Sequence, residues 1–510
     1  MAFGTMTSRI LGQLRESLLA YYFDKRITDA WNAAFRLPNM FRRLLGEGSL
    51  SVSFIPIFVE STLDSKERAQ NLVNSVYSFL LLILGVLTAF GIFYPDPLLN
   101  LVLDPAYIAD TEKYLLTLRL TKIMFGFIFF ISSFAFAMGV LNALGQFAFP
   151  ALAPTFFNIC LIISTVLPHD WFPVLGDQLA WGVLIGGAVQ AAVLIPALIK
   201  SGYIPRISFD FKNADYKRVL KNMGPGLIGM GLLQFTTVVN LNFSSSLMEG
   251  TISYINYVDR LIELPLSLIS VSLGTALLPI LSSYHARKET QQLTRTAQHY
   301  LELNLLLSMA AAAGLYFLAQ PLVDLLFGRG KFKPSDVLMT SEILKTYCWI
   351  MIFSSGVRVL TPAYFAVKNT WFPAVISAIC LCVHIILAPL LISKFQVFGL
   401  MISTTTSAAL NFTLLMVFYP RMVGQGFNYL KFFMNVVVFA LLAVLTGAAS
   451  SVHYVMYGVY LPKGGVGLLV SIGLSIGLAL VVFVGLGRLL GVNAIYEVLG
   501  RVQKRFLRKR

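Results

Sequence analysis

A polar segment of helix length, from Thr28 to Glu60, carries residue types that could bind an anion. At 100° per residue, four of its charged side chains fall within roughly 40° of one another on one face: Asp29, Arg36, Arg43 and Glu47. Pro38 is expected to interrupt this helix, so the phase beyond it is open and Arg42 is a further candidate for the same face. Such a face needs water or an anion rather than lipid.

Two other predicted helices carry charges. Spacings of i, i+3, i+4 and i+7 place a second set on one face, ahead of a bend at Pro265: Asn256, Asp259, Arg260 and Glu263. In the first helix Arg9 and Glu16 share a face and Arg15 points about 120° away. Burying the arginines of all three segments in lipid would cost about 15–20 kcal/mol, so most of them are expected to line a wet cavity. The alternative is that the acids only neutralise arginines in helix packing, or that some arginines snorkel to the surface.

Length and composition indicate a membrane protein. The chain has 510 residues, 57% hydrophobic and 12% charged, and its apolar runs repeatedly reach the length that spans a bilayer. The fold class predicted is an all-α polytopic membrane protein. The net charge of +15 does not indicate nucleic-acid binding, because the cations lie in short loops and at the C-terminus.

The apolar pattern predicts about 14 transmembrane helices. They are placed near 2–22, 29–60, 70–94, 112–143, 150–167, 178–200, 224–247, 251–283, 296–326, 336–367, 372–392, 397–419, 430–452 and 465–490. One set of loops, with the C-terminal tail, carries 20 Lys and Arg residues, so both termini are expected to be cytoplasmic. The basic outer loop 327–336 departs from this charge bias.

An internal repeat divides the chain. Pro56 and Pro279 are separated by the same number of residues as Pro150 and Pro373, and the sequences around each pair are alike. The prediction is an N-terminal six-helix half with a cytoplasmic linker (1–222), a pseudo-symmetric C-terminal half (223–424), and two additional helices with a basic tail (425–510). Paired halves usually enclose a site between them and rock about it.

Signals for an enzyme are weak. No P-loop motif occurs, the histidines are scattered, and neither a metal site nor a cofactor is predicted. Between Trp371 and Tyr419 there is no Asp or Glu, so a coupling-cation site is not expected there. The sequence therefore favours a transporter for which ATP is not the direct energy source.

At the charged residues of the three helices described above, the sequence resembles the MurJ (MviN) lipid II flippases of the multidrug/oligosaccharidyl-lipid/polysaccharide exporter superfamily. The resemblance covers nearly the whole chain, and its most specific motifs are TDAWNAAFRLPNMFRRLLGEGSLSVSFIP at 28–56 and YVDRLIELPLSLISVSLGTALLPILS at 257–282. Three features depart from the family pattern: a shorter N-terminus before the first arginine, Glu16 in place of an aspartate, and Gly126 in place of a proline.

The resemblance implies an alternating-access flippase for lipid II in the bacterial inner membrane, acting in peptidoglycan synthesis, with the cell-wall machinery as a candidate partner. Arginine suits the pyrophosphate of this cargo, because its guanidinium binds phosphate oxygens in pairs and stays charged. The expected binding residues are Arg9, Arg15, Asp29, Arg36, Arg42, Arg43, Asp259, Arg260 and Glu263, supported by Glu16, Asn39, Glu47 and Asn256. The alternative functions are a polysaccharide-unit flippase and a multidrug or cation exporter of the same superfamily.

Overall fold

The computed structural model describes residues 2–44, 50–208, 210, 213–461, 464–492 and 495–496. Within these ranges all regular structure is helical, which agrees with the predicted all-α class. Of the predicted site residues, Glu47 lies outside the described ranges.

The chain divides into two compact units, the first consisting of Met1–Ser253 together with Arg329–Phe332. Its helices are α1 (Ala2–Tyr22), α2 (Lys25–Phe41), α3 (Leu50–Asp64), α4 (Lys66–Phe93), α5 (Pro95–Val102), α6 (Pro105–Ala109), α7 (Thr111–Met124), α8 (Phe127–Ala143), α9 (Ala148–Val166), α10 (Asp177–Ala192), α11 (Ile195–Ser201) and α12 (Ala214–Ser245).

The second unit consists of Tyr254–Gly328 and Lys333–Arg510. Its helices are α13 (Thr251–Leu266), whose first turn belongs to the first unit, α14 (Ser272–Ala286), α15 (Thr290–Phe317), α16 (Ala319–Phe327), α17 (Pro334–Tyr347), α18 (Ile350–Ala366), α19 (Trp371–Phe395), α20 (Val397–Met422), α21 (Tyr429–Ser450), α22 (Val452–Val455) and α23 (Gly465–Leu489). The division of the sequence at 222 and 424 stays a prediction.

The polar segment folds differently from the sequence expectation. Helix α2 begins after Asp24, whose carboxylate accepts a hydrogen bond from the backbone N–H of Ile27. It then passes through Pro38 without a break, so the predicted interruption at this proline was wrong. The α-helical pattern changes at 42–44, where the backbone forms a wider π-helical turn. The change of phase therefore falls at the arginines themselves.

Helix α12 also begins earlier than predicted. The sequence placed its start near 224, but the helix starts at Ala214, after Asn213, whose side chain caps the N–H groups of Asp215 and Tyr216. Hydropathy misses this first part because its residues are charged, although the cap favours a helix there.

Several predicted helices contain internal breaks, and two of these lie at a glycine or a proline. The fourth is interrupted at Phe125–Gly126 between α7 and α8, and a Cβ at Gly126 would lie 2.8 Å from the Leu184 side chain of α10. The eighth changes to a π-helix at Ser267–Val271, directly after Pro265, which lies within α13 and cannot donate a backbone hydrogen bond.

Nine helices in the described ranges are long and apolar enough to span a bilayer, and the bent pair α17 and α18, at 45° to each other, brings the number to ten. The count of 14 spans is not confirmed. The charged helices α1, α2 and α13 are not among the nine, because each is short or carries several charged side chains. The chain is a multi-pass membrane protein.

The repeated prolines occupy matching places in their helices. Pro150 is the third residue of α9, and Pro373 is the third residue of α19. Pro56 lies near the middle of α3, as Pro279 does in α14. The repeat read from the sequence therefore corresponds to a repeated local structure.

An aromatic chain holds α2 inside the first unit. Trp31 stacks on Phe35 with ring centroids 5.4 Å apart, Phe35 contacts Phe127 of α8 at 5.5 Å, and Phe127 contacts Phe157 of α9 at 5.4 Å. Trp31 and Phe127 are buried. The apolar side of α2 is thereby fixed, and its charged side chains are directed by a rigid element.

Candidate functional site

Asp29 is a buried carboxylate that binds protein groups. It accepts hydrogen bonds from the backbone N–H groups of Gly250 (2.7 Å) and Ser253 (2.9 Å) at the start of α13, and from the Ser253 hydroxyl (2.8 Å). Its Oδ2 also lies 2.9 Å from Nζ of Lys113 on α7, and both side chains are more than nine-tenths buried. Asp29 therefore caps the N-terminus of α13, where the helix dipole favours a negative charge.

The arginines of the polar segment surround the C-terminal end of α2. Arg36, Arg42 and Arg43 are all half-buried. Nε of Arg42 donates a hydrogen bond to Oδ1 of Asn39 at 2.9 Å, and the supporting role of Asn39 stays a prediction. The π-helical turn at 42–44 changes the directions of Arg42 and Arg43 relative to Arg36. The phase calculated from the sequence does not hold beyond Phe41.

On α1 the three predicted residues differ in burial. Arg9 is half-buried, whereas Arg15 and Glu16 are buried. The sequence placed Arg15 about 120° from the Arg9 and Glu16 face, yet Arg15 and Glu16 form a direct ion pair. Nη1 of Arg15 also donates to Oδ1 of Asn158 on α9 at 3.1 Å. These groups form one buried polar cluster between α1 and α9.

In the second unit the predicted residues lie on α13. Asn256 and Asp259 are half-buried. Nη1 of Arg260 lies 3.8 Å from Oε2 of Glu263, and these side chains are 40% and 56% exposed. The predicted i, i+3 relation between Arg260 and Glu263 is therefore present, in a pair that is partly exposed.

Sequence reasoning missed Arg358. This residue is exposed on α18 although Val359 and Leu360 beside it are fully buried, and it lies within electrostatic range of Glu263. Its signal in the sequence was a single arginine in the otherwise apolar stretch 350–366. Ionisable residues inside spans usually mark functional sites, so Arg358 joins the candidate residues of the second unit.

A separate ionic cluster joins α3, α4 and α12. Arg68 binds both carboxylate oxygens of Asp215, at 2.6 and 2.8 Å, and Asp64 at 3.1 Å. Arg218 binds both oxygens of Glu60 at 2.9 Å. The hydrogen bonds from Arg68 hold the pKa of Asp215 below its ordinary value. These paired forks stabilise the frame of the first unit and are already occupied by protein carboxylates.

The basic turn that broke the charge bias packs on the end of α1. The backbone N–H of Lys331 donates to the carbonyl oxygen of Tyr21 at 2.9 Å. Gly330 has φ +66°, and a Cβ there would lie 2.3 Å from that oxygen. Phe332 is buried, whereas Arg329 and Lys331 are exposed. Cations at a helix C-terminus are favoured by the helix dipole, which gives a physical reason for this exception.

Each unit thus presents its own set of arginines with acids beside them, on helices in which charge is otherwise rare. Among the described residues, no group of three His, Cys, Asp or Glu side chains is placed to hold a metal ion. Half-buried guanidinium groups can bind phosphate oxygens in pairs. Each set therefore offers groups whose chemistry suits an anion.

A family model described as lipid II flippase MurJ matches residues 19–475. The chain belongs to the MurJ family. A probable lipid II flippase MurJ of Bdellovibrio bacteriovorus is 48% identical over 502 residues, covering 98% of this chain and 95% of the relative. The lipid II flippase MurJ of Burkholderia cenocepacia is 34% identical over 453 residues and 87% of each chain.

Solved structures agree with the MurJ assignment. A structure of lipid II flippase MurJ in an inward closed conformation matches with a TM-score of 0.79 and 26% identity, covering 96% of this chain and 99% of that chain. An inward-facing multidrug resistance MATE transporter of the MOP superfamily matches with a TM-score of 0.67 and 14% identity, over 84% and 95% of the two chains. The second likeness shows a shared fold.

Proposed function

We propose that this chain is a lipid II flippase. It moves the peptidoglycan precursor linked to undecaprenyl pyrophosphate from the cytoplasmic to the outer leaflet of the bacterial inner membrane by alternating access. The observation that carries the proposal is membership of the MurJ family, whose model matches residues 19–475. Both termini are assigned to the cytoplasm, because the loops on that side hold most of the cations.

The arginines supply the affinity for the cargo. A pyrophosphate carries about two negative charges, and the half-buried guanidinium groups can each bind two of its oxygens. The first unit contributes the half-buried Arg9, Arg36, Arg42 and Arg43, with Arg15 held in a buried cluster. The second unit contributes the half-buried Arg260 and the exposed Arg358. Arginine keeps its charge at any relevant pH, so binding does not depend on a proton.

The acids beside the arginines limit how tightly the cargo is held. Glu263 lies 3.8 Å from Arg260 and within electrostatic range of Arg358. It therefore offers both arginines an alternative partner when the pyrophosphate leaves. A carrier must release what it binds, and a competing carboxylate lowers the free energy of the empty site relative to the loaded one.

Complementation of a depleted bacterium tests the proposal. Loss of the protein should cause lysis and accumulation of inward-facing lipid II, and the wild-type chain should restore growth. Arg260→Ala and Arg358→Ala should fail to complement although they reach the membrane. Arg295→Ala, an exposed arginine at the start of α15, is the matched control and should complement. Normal wall synthesis after depletion would contradict the flippase assignment, and growth with both site variants would contradict the assignment of these arginines.

A further inference from the structure

Asn158 joins Arg15 to a second point on the same helix. Its Oδ1 accepts a hydrogen bond from Nη1 of Arg15 at 3.1 Å, while its Nδ2 donates to the backbone carbonyl of Ser8 at 2.9 Å and to the Ser8 hydroxyl at 3.2 Å. Asn158 lies on α9, and Ser8 and Arg15 lie seven residues apart on α1. One amide therefore bridges two turns of the neighbouring helix.

The orientation of this amide is fixed by its partners. The carbonyl oxygen of Ser8 can only accept and the guanidinium of Arg15 can only donate, so Nδ2 must face Ser8 and Oδ1 must face Arg15. Asn158 is 7% exposed. A carboxylate at this position could bind Arg15 but could not donate to Ser8, and an aliphatic side chain could do neither.

The amide lies beside Gly12 of α1. Gly12 lies on α1 between the two partners, and a Cβ there would be 3.8 Å from Nδ2 and 3.9 Å from Oδ1 of Asn158. That spacing corresponds to ordinary van der Waals contact, so a longer side chain at Gly12 would displace the amide. The backbone of α1 and the side chain of α9 are thus matched in shape around Arg15.

The neutrality of the amide is as important as its geometry. Arg15 is already paired with Glu16, which binds Nη2, so these two side chains together carry no net charge. Asn158 binds Nη1 without adding a negative charge. An acid in its place would give the cluster a charge of −1 and repel an anionic cargo.

We propose that Asn158 is a positioning residue for Arg15, whose Nη1 it holds. The inference rests on the proposed function, because it assigns the held arginine to the recognition of an anionic lipid headgroup. Asn158 itself does not touch the cargo. Its removal weakens cargo binding only through Arg15.

The test measures binding of lipid II to the full-length protein in nanodiscs. Asn158→Asp should weaken binding at least tenfold, and Arg15→Ala should do the same. In the double variant Asn158→Leu/Arg15→Ala, which adds no charge, the loss should be no larger than for Arg15→Ala alone, within twofold, because both changes act through one group. The apparent melting temperature is recorded for each variant.

Asn411→Asp is the matched control. Asn411 lies on α20 and donates to Ser377 of α19 at 3.1 Å, so the change introduces an acid at another hydrogen bond between helices, remote in sequence from Arg15. Its lipid II affinity should remain within twofold of wild type. Asn158→Leu, which adds no charge, replaces Asn158→Asp if the latter does not fold and should also weaken binding about tenfold.

Three results would overturn the inference. Wild-type affinity in Asn158→Asp and Asn158→Leu, with weakened binding in Arg15→Ala, would leave Arg15 assigned and remove Asn158 from its support. A full additional loss on adding Asn158→Leu to Arg15→Ala would show that Asn158 acts by another route. If Arg15→Ala itself binds lipid II normally, the assignment of Arg15 under the proposed function fails first, and the role of Asn158 falls with it.

Discussion

Substitution of Asp29 is a sharp test of how this residue acts. The sequence predicts that Asp29 binds the cargo, whereas its interactions in the structure predict that it stabilises the fold. The side chain of Asp29 is 1% exposed. Its carboxylate pairs with Lys113 at 2.9 Å and caps the start of α13 through Gly250 and Ser253. Asp29→Ala removes the ion pair and the cap at once. We therefore expect a stability defect, in addition to any effect on transport.

The magnitude follows from the ion pair and the helix cap taken together. Leaving Lys113 buried without its counter-charge costs about 3–5 kcal/mol, and removing a helix cap costs about 0.5–2 kcal/mol. The ring of Tyr107, whose centroid is 4.8 Å from Nζ of Lys113, compensates part of the first effect. We expect Asp29→Ala to lower the free energy of unfolding by about 4 kcal/mol.

A double variant separates the ion pair from the cap. Asp29→Ala/Lys113→Met removes both charges of this buried pair, so only the cap and some packing are lost. The free energy of unfolding should then fall by only about 1–2 kcal/mol. The double variant should therefore be more stable than Asp29→Ala by about 2 kcal/mol. Asp29→Asn should lie between them, because its amide oxygen can still accept from Ser253.

The assay is thermal or chemical unfolding of the purified protein in one detergent, with lipid II binding measured on the same samples. The order of stability should be wild type, double variant, Asp29→Asn and Asp29→Ala. Wild-type stability in Asp29→Ala, combined with a loss of lipid II binding, would refute this reasoning and assign Asp29 to the cargo, as the sequence predicted.

Three further outcomes are expected. Gly330→Ala should lower the melting temperature and increase protease cleavage of the turn, because its Cβ would lie 2.3 Å from the carbonyl oxygen at the end of α1 and its φ is +66°. The control is Gly426→Ala, which is also at positive φ but has open space around its Cβ. An equal effect of the two substitutions would point to backbone strain alone. Asp215 has a lowered pKa in the folded protein, so its contribution to stability is complete above its unfolded pKa of about 4 and is lost as pH falls through the folded value. Asp215→Ala should therefore lower the free energy of unfolding by about 2–3 kcal/mol at pH 7. A stability difference from wild type that persists undiminished at pH 2 would contradict this. Moving about two negative charges outward across an inside-negative membrane is downhill by about 4–5 kcal/mol per 100 mV. An ionophore that collapses the potential should therefore stop flipping, whereas replacing sodium by potassium at constant potential should not. Arrest of flipping on sodium removal alone would require a cation site.

The sequence by itself determined the class of the protein and most of its helices. Hydropathy and helical periodicity are local properties, so α1, α4, α9 and α23 appear within a few residues of their predicted bounds. The arginine-rich helices were also evident, because a charge inside an apolar span is costly and therefore conspicuous. The family motifs at 28–56 and 257–282 then indicated an anionic cargo.

The tertiary structure decided which partner each of these charges has. Lys113 is 84 residues from Asp29, and Asn158 is 143 residues from Arg15. Neither separation has a periodicity that a sequence could reveal, because such pairs depend on which helices pack together. The same holds for the π-helical turn at 42–44, where the phase of Arg42 and Arg43 changes. Local spacing placed the charges on helices, and long-range packing determined whether each one caps a helix, supports a neighbour or remains accessible to an anion.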